Sequence, residues 1–148
     1  MKWNKKFNYT PLNRIPINGS RHYVVGQQRL PSVSNIISKK LINAAHDCAD
    51  GGLFVSLVEM AMASNLGCEI STHKTIRKDA FLFGESQGRV VVTVKSKKLD
   101  SFKSEIELSR VPYASIGKVT TAANIVIDNI SFGSADSLKE ISENVIKL

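Results

Sequence analysis

The run His46-Asp47-Cys48-Ala49-Asp50-Gly51-Gly52-Leu53 joins an acidic loop to a glycine pair, and a stretch up to Asn65 follows in which only Ser56, Glu59 and Ser64 interrupt the apolar positions. That order predicts a loop leading into a helix, with Gly51 and Gly52 giving the backbone freedom for the entry. A helix so apolar is buried on most of its circumference, so it packs between a sheet and a second layer. If the chain has too few elements to supply that layer, a partner or another domain supplies it. Glycines at a helix entry also let a ligand approach the backbone, where the first N–H groups attract anions. The carboxylates of Asp47 and Asp50 can accept hydrogen bonds from hydroxyls or ligate a hard cation such as magnesium.

Upstream, Val33, Ile36, Ile37, Leu41 and Ile42 fall at helical spacing behind Pro31-Ser32, which predicts a helix over Val33 to Ile42. Asn43 to Cys48 then runs into a sheet or its edge. Downstream, Gly67 to Ser71 reads as a short strand and the β-branched run Arg89 to Lys95 as a central one. Lys97 to Ser109 spaces Leu99, Phe102, Ile106 and Leu108 among charges, predicting an exposed amphipathic helix that Val111-Pro112 stops. Tyr113 to Val119 and Asn124 to Ile130 are strand-like across a polar turn and predict an antiparallel hairpin. Asp136 to Ile146 predicts a last helix, capped by Ser134 or Asp136. The order helix, strand, helix, strand, strand, helix, strand, strand, helix is α+β, a mixed sheet covered by helices.

At 148 residues and 43% hydrophobic content the chain suits one domain with a real core. No apolar stretch approaches the roughly 20 residues that cross a bilayer, and the polar, basic start is unlike a signal peptide. Cys48 and Cys68 lack metal-type spacing and read as reduced packing residues, which together predict a cytoplasmic protein without membrane partners. The net charge of +7 is uneven: residues 1–40 hold eight basic and no acidic side chains, residues 41–148 twelve basic and thirteen acidic. All the excess positive charge therefore lies near the N-terminus, which predicts a boundary near Pro31, with a loosely ordered basic arm over residues 1–32 and the domain over 33–148. Such an arm has some features of a transit peptide or of a segment touching nucleic acid or anionic lipid. It lacks the folded motif of nucleic-acid modules, so nucleic acid is not the expected partner.

A second constellation, Phe83-Gly84-Glu85-Ser86-Gln87-Gly88-Arg89, stands just before the strongest strand. Glu85 suits a cation or a ligand hydroxyl, Ser86 and Gln87 an amide or phosphate, and Arg89 a phosphate held in bidentate fashion. The competing reading is an ordinary turn with Arg89 paired to Glu85. His46 beside Asp47 invites a general-base reading, but a histidine at a strand end more often satisfies a backbone carbonyl, and that is the expected role. A magnesium site built from Asp47, Asp50 and Glu85 requires the two loops to converge. His22 and His73 carry no argument.

The two motifs in this order resemble the C-terminal part of phosphoribosylformylglycinamidine synthase. His46 to Leu53 with Val58-Glu59-Met60-Ala61 resembles the family's His-Asp-x-Ser-Asp-Gly-Gly-Leu helix entry. Phe83 to Val91 resembles its Phe-Gly-Glu-Ser-Gln-Ser-Arg-Val-Val segment, and Val111-Pro112 through Ile116-Gly117-Lys118-Val119 its return strand. The similarity covers residues 33 to 148 and implies the C-terminal domain type of the aminoimidazole ribonucleotide synthetase superfamily. Two hydroxyls are missing from the pattern, at Ala49 and Gly88, which weakens a site by about 1 kcal/mol each without abolishing a fold.

The resemblance implies ATP-dependent conversion of formylglycinamide ribonucleotide to its amidine in purine biosynthesis, with ATP and magnesium required by the complete enzyme. It implies that an N-terminal region carries the ATP loop, the metal-binding aspartates and the catalytic histidine. Residues 1–32 do not resemble that region. The expected partner is therefore the N-terminal synthase region or a homologous subunit, the expected substrate a phosphoribosyl small molecule, and the isolated chain inactive. Asp47, Asp50, Gly51, Gly52, Glu85, Ser86, Gln87 and Arg89 are carried over as substrate- or nucleotide-binding residues of the cleft, with no catalytic residue assigned. A stand-alone nucleotide or sugar-phosphate binding module is the alternative.

Overall fold

A computed structural model describes residues 19–26, 30–86 and 88–145. Its seven strands are β1 (Arg21–Gly26), β2 (Ala44–Asp47), β3 (Gly67–Ile70), β4 (Arg89–Val94), β5 (Tyr113–Thr120), β6 (Asn124–Ile127) and β7 (Ile130–Ser134). Five α-helices join them: α1 (Leu30–Ser38), α2 (Gly52–Ser64), α3 (Lys78–Phe83), α4 (Leu99–Leu108) and α5 (Ala135–Val145). The strands form one sheet in the order β2-β4-β1-β5-β3-β6-β7, antiparallel at every junction except the parallel pair β3 and β6. The expected α+β mixed sheet covered by helices is the fold observed.

Strand alternation divides the core in two. Along β4, Val90, Val92 and Val94 join Tyr23, Val25, Ile36, Phe102 and Ile106 under α1 and α4, while Val91 joins Leu53, Leu57, Ile70 and Ile125 under α2. Successive side chains of a strand point to opposite faces, so a β-branched run paired on both edges fills both layers. The second layer that α2 required is supplied within the chain: α3 brings Phe81 and Leu82 to its flank, and α5 brings Ala135 and Leu138. Each polar interruption of α2 is also used. Ser56 Oγ donates to the carbonyls of Gly52 and Asp47, Ser64 Oγ to that of Met60, and the Glu59 carboxylate meets His46.

Three expectations need correction. Residues 21–26 are not part of an arm but a strand in the middle of the sheet, paired with β4 on one side and β5 on the other. The boundary expected at residue 33 falls inside α1. The reason is burial: Tyr23 and Val25 fill one core layer and His22 lies under the other face, so this basic-flanked segment has an interior role. Residues 1–18 lie outside the described residues. Second, β5 and β6 do not form a hairpin, because β3 lies between them. Gly117 permits that insertion, since a Cβ there would strike the Glu69 carbonyl of β3. The hairpin is instead β6 with β7, closed by Asp128 and Asn129, both at positive φ (49° and 66°), the backbone of a type I′ turn. Third, α3 was not expected at all. The final helix is capped as expected, with the Ser137 N–H donating to Ser134 Oγ.

Asp128 fastens this turn to the rest of the sheet. Its carboxylate accepts from Lys78 Nζ at 2.8 Å and from the Thr72 hydroxyl and N–H at 2.7 and 2.9 Å, which hold its pKa down to about 2. Cys48 and Cys68 are both free and buried, and burial pushes the Cys68 thiol up to about 12, as suits packing residues. Among the described residues no helix is long and apolar enough to cross a membrane.

His22 is 2% exposed and its Nδ1 has no hydrogen-bond partner among the described residues. Burial pushes its pKa down from 6.5 to about 4, against a backbone hydrogen bond to Lys118 that pulls the other way. A depressed pKa means that the unfolded chain takes up the proton first. The stability present above pH 6.5 is therefore lost as pH falls toward 4, by about 3 kcal/mol for a shift of this size. Asp128 acts only below this window, between 3.8 and about 2. Urea unfolding at pH 7 and pH 4.5 is expected to show a marked loss in the native chain and a smaller one in His22→Gln; equal losses would count against this assignment.

Candidate functional site

The two motifs meet at the N-terminus of α2. Gly51 and Gly52 both adopt left-handed backbone, with φ of 80° and 69°, which turns the chain from β2 into the helix. Over Gly52 the chain's own backbone fills the space. A Cβ built there would lie 2.8 Å from the Leu82 carbonyl oxygen and 2.9 Å from that of Gly84. Its glycine therefore serves the close approach of the α3 end. The Gly51 N–H, expected to face an anion, donates to Glu85 Oε1 at 3.0 Å. A side-chain carboxylate thus caps the helix at the place where its backbone charge is positive.

Arg89, expected to grip a phosphate, turns inward instead. Its Nη1 donates to the Phe81 carbonyl at 3.3 Å and its Nη2 to the Gly84 carbonyl. These are carbonyls at the C-terminal end of α3, where partial negative charge collects and a cation is stabilised. The alternative pairing of Arg89 with Glu85 is not what forms. The half-buried guanidinium closes the loop that presses on Gly52, while Glu85 reaches across to Gly51. Phe83, the last residue of α3, is half exposed and meets Phe54 of α2 in a tilted ring contact at 5.4 Å, and Phe54 meets Phe132 of β7 at 5.6 Å.

Among the described residues, the exposed polar side chains of the two motifs are acidic and hydroxylic. The Asp47 side chain is 55% exposed, and Asp50, Glu85 and Ser86 are exposed as well. Gln87 lies outside the described residues. Carboxylates and hydroxyls of this kind accept hydrogen bonds from sugar hydroxyls. No group of three or more His, Cys, Asp or Glu side chains among the described residues is placed to hold a metal ion, so a magnesium site from Asp47, Asp50 and Glu85 is not formed. The reason is geometric: the Glu85 carboxylate is turned to the Gly51 backbone.

His46 has the role expected of it. Its Nδ1 lies 2.7 Å from the Asp47 carbonyl oxygen, and Nε2 lies 2.7 Å from Glu59 Oε2. Burial lowers its pKa, but Glu59 and the Asp47 carbonyl together leave it raised above 6.5. The contributions of Ser56 and Glu59 to this loop, and the whole of α3, were not read from the sequence. The available signal was two polar residues inside an otherwise apolar helix, at positions whose partners are set by the tertiary fold.

Replacing Gly52 by Ala is expected to cost about 3 kcal/mol, part from left-handed backbone and part from pushing residues 82–84 aside. Asp50→Ala, at an exposed carboxylate, is expected to stay within about 0.5 kcal/mol of the native chain. Chemical denaturation of the two variants side by side checks both values.

Comparison with known proteins places this arrangement in a family. The chain is 42% identical over 87 residues to the phosphoribosylformylglycinamidine synthase subunit PurL of Synechocystis sp., covering 58% of this chain and 11% of that protein. It is 32% identical over 111 residues to the subunit of the same name from Aquifex aeolicus, covering 75% and 14%. The chain thus spans only a small part of the length of these relatives. Among solved structures, T. maritima PurL complexed with ATP superposes with a TM-score of 0.71 at 14% identity, covering 86% of this chain and 27% of that one. The T. maritima protein has also been solved complexed with FGAR and within PurLQS, with TM-scores of 0.71 and 0.68. Residues 25–128 match the family model described as AIR synthase related protein, C-terminal domain, and the chain belongs to that family.

Proposed function

We propose that this chain is the C-terminal domain of an ATP-dependent phosphoribosylformylglycinamidine synthase, the purine-pathway enzyme that converts formylglycinamide ribonucleotide to its amidine. The observation that carries the reading is the interlock of the two motif loops, in which Glu85 caps Gly51 and residues 82–84 seat on Gly52. In this reading the exposed carboxylates of Asp47 and Asp50 and the hydroxyl of Ser86, on the two loops so joined, form the rim of the cleft. Its supports are the family membership and the PurL names of the relatives.

Within that reading the rim serves the substrate more than the nucleotide. Holding a triphosphate needs cations or free backbone N–H groups. Here the Arg89 guanidinium is taken by carbonyls and the Gly51 N–H by Glu85, so these groups do not offer the grip. ATP and its magnesium are then held mainly by an N-terminal region, as the resemblance implies. ATP supplies the phosphoryl group that turns the amide oxygen into a leaving group for ammonia. This chain's residues do the positioning: Asp47, Asp50 and Ser86 hold the ribose hydroxyls, and the α2 entry fixes the rim. The partner is the N-terminal synthase region or a homologous subunit, and the chain by itself is inactive. The stand-alone nucleotide or sugar-phosphate module is not favoured, because the relatives are PurL subunits of which this chain spans only a part.

Amidine formation from formylglycinamide ribonucleotide, ATP, magnesium and ammonia tests the proposal, using the chain alone and mixed with the N-terminal region of a PurL relative. Activity only in the mixture is expected. Activity of the chain alone, or none in a mixture where the chain is folded and associated, would overturn it. In the active mixture Asp50→Asn is expected to raise KM for the ribonucleotide about tenfold, the effect of one hydrogen bond of about 1.4 kcal/mol, with the melting temperature of the chain unchanged.

A further inference from the structure

His46 sits at the end of β2, 7% exposed, and both of its ring nitrogens face oxygen atoms. Nδ1 is 2.7 Å from the carbonyl oxygen of Asp47, and Nε2 is 2.7 Å from a carboxylate oxygen of Glu59 on α2. A carbonyl only accepts hydrogen bonds, and so does an ionised carboxylate. A neutral imidazole has a single N–H, so one of its nitrogens would turn a lone pair toward an oxygen at this distance, away from water. With both N–H groups present each contact is attractive. The same Asp47 carbonyl accepts a second hydrogen bond, from Ser56 Oγ at 3.0 Å, so two groups anchor the first peptide of the loop to the body of the fold.

We propose that His46 is a buried imidazolium and the positioning residue of the Asp47 to Gly52 loop, tying the Asp47 carbonyl to α2 through Glu59 and releasing it when the ring loses its proton. Among the described residues, Glu59 from α2 and Asp47 on its own strand, whose Oδ1 lies 3.7 Å from Nδ1, act on the ring's charge, and both are acidic. The strand paired with β2 sets Val91, which does not titrate, opposite His46. The raised pKa of the ring agrees with this geometry. A raised pKa places the stabilising charge below pH 6.5, and the contribution is lost as pH rises through the folded value. The loop would then be held best below pH 6.5 and loosened as pH rises through the folded pKa of the ring. This assignment rests on the functional reading only in taking the loop as a ligand rim, because the charge and its effect can both be read on the chain alone.

The test is nuclear magnetic resonance of the nitrogen-15-labelled chain. Ring-nitrogen shifts of His46 give its protonation, and the amide shifts of residues 47–52 are followed from pH 6 to 10. Two protonated ring nitrogens at pH 6.5 are expected, with the loop amides moving at the midpoint of the ring, above 6.5. In Glu59→Gln that midpoint is expected to fall by about one pH unit or more, as befits loss of an adjacent counter-charge. A bare ring nitrogen at pH 6.5 in the native chain would overturn the proposal, as would loop amides that do not follow the ring. A midpoint unmoved in Glu59→Gln would do the same, and if that variant fails to fold the native titration still decides. Lack of amidine synthesis by a chain that passes these tests would count against the functional reading and leave the ring's role intact.

Discussion

The close seating of residues 82–84 on Gly52 is the constraint around which the candidate site is organised. It demands a residue without a side chain at the second position of the helix entry, left-handed backbone there, and a short helix ending at the right height above it. Arg89 meets the last requirement by binding two carbonyls at the end of α3 while its own backbone belongs to β4. A sheet strand, a helix end and a helix start are thereby joined within a few residues. The geometry of the rim follows from them, because Glu85 leaves the same loop to reach Gly51.

The electrostatics of the domain have a matching economy. Two buried histidines stand on the sheet and are treated oppositely by their surroundings. His22 lies among core residues, with no counter-charge beside it among the described residues, and is kept neutral by burial, whereas His46 is given an acid partner from α2. Burial is common to both, so the neighbouring carboxylate decides the outcome. Glu59 is thus the one charged residue of a helix that otherwise turns apolar or hydroxyl-bearing side chains to its surroundings, and the fold gives it a use at the edge of the site.

The similarity to solved structures bears on fold and not on chemistry, since it holds at 14% identity over 86% of the chain. The likeness to curated PurL subunits is at higher identity, 42% over 87 residues of the chain. Within that framework a family resemblance carried residues onto the site as ligand groups, and the structure shows several of them making internal contacts. The same residue types suit either kind of contact. Gly52, Glu85 and Arg89 could therefore be located from the sequence without their partners being known.

What the sequence determined by itself is the local part: the apolar run that makes α2, the β-branched run that makes β4, the serine cap of α5, and the two motifs that border the site. Each is set by spacing and propensity over a few residues. What only the tertiary structure decided involves residues far apart in the chain. β1 was hidden because Arg21 and His22 made its segment look like more of the basic stretch, although His22 is buried opposite Thr93. The insertion of β3 between β5 and β6 depends on a glycine whose neighbour belongs to another strand. The inward turn of Arg89 depends on α3, six residues long and too short to show a helical period. Side-chain partners across such separations are fixed by packing and by the need to satisfy buried polar groups, and neither quantity is written in any one segment of the chain.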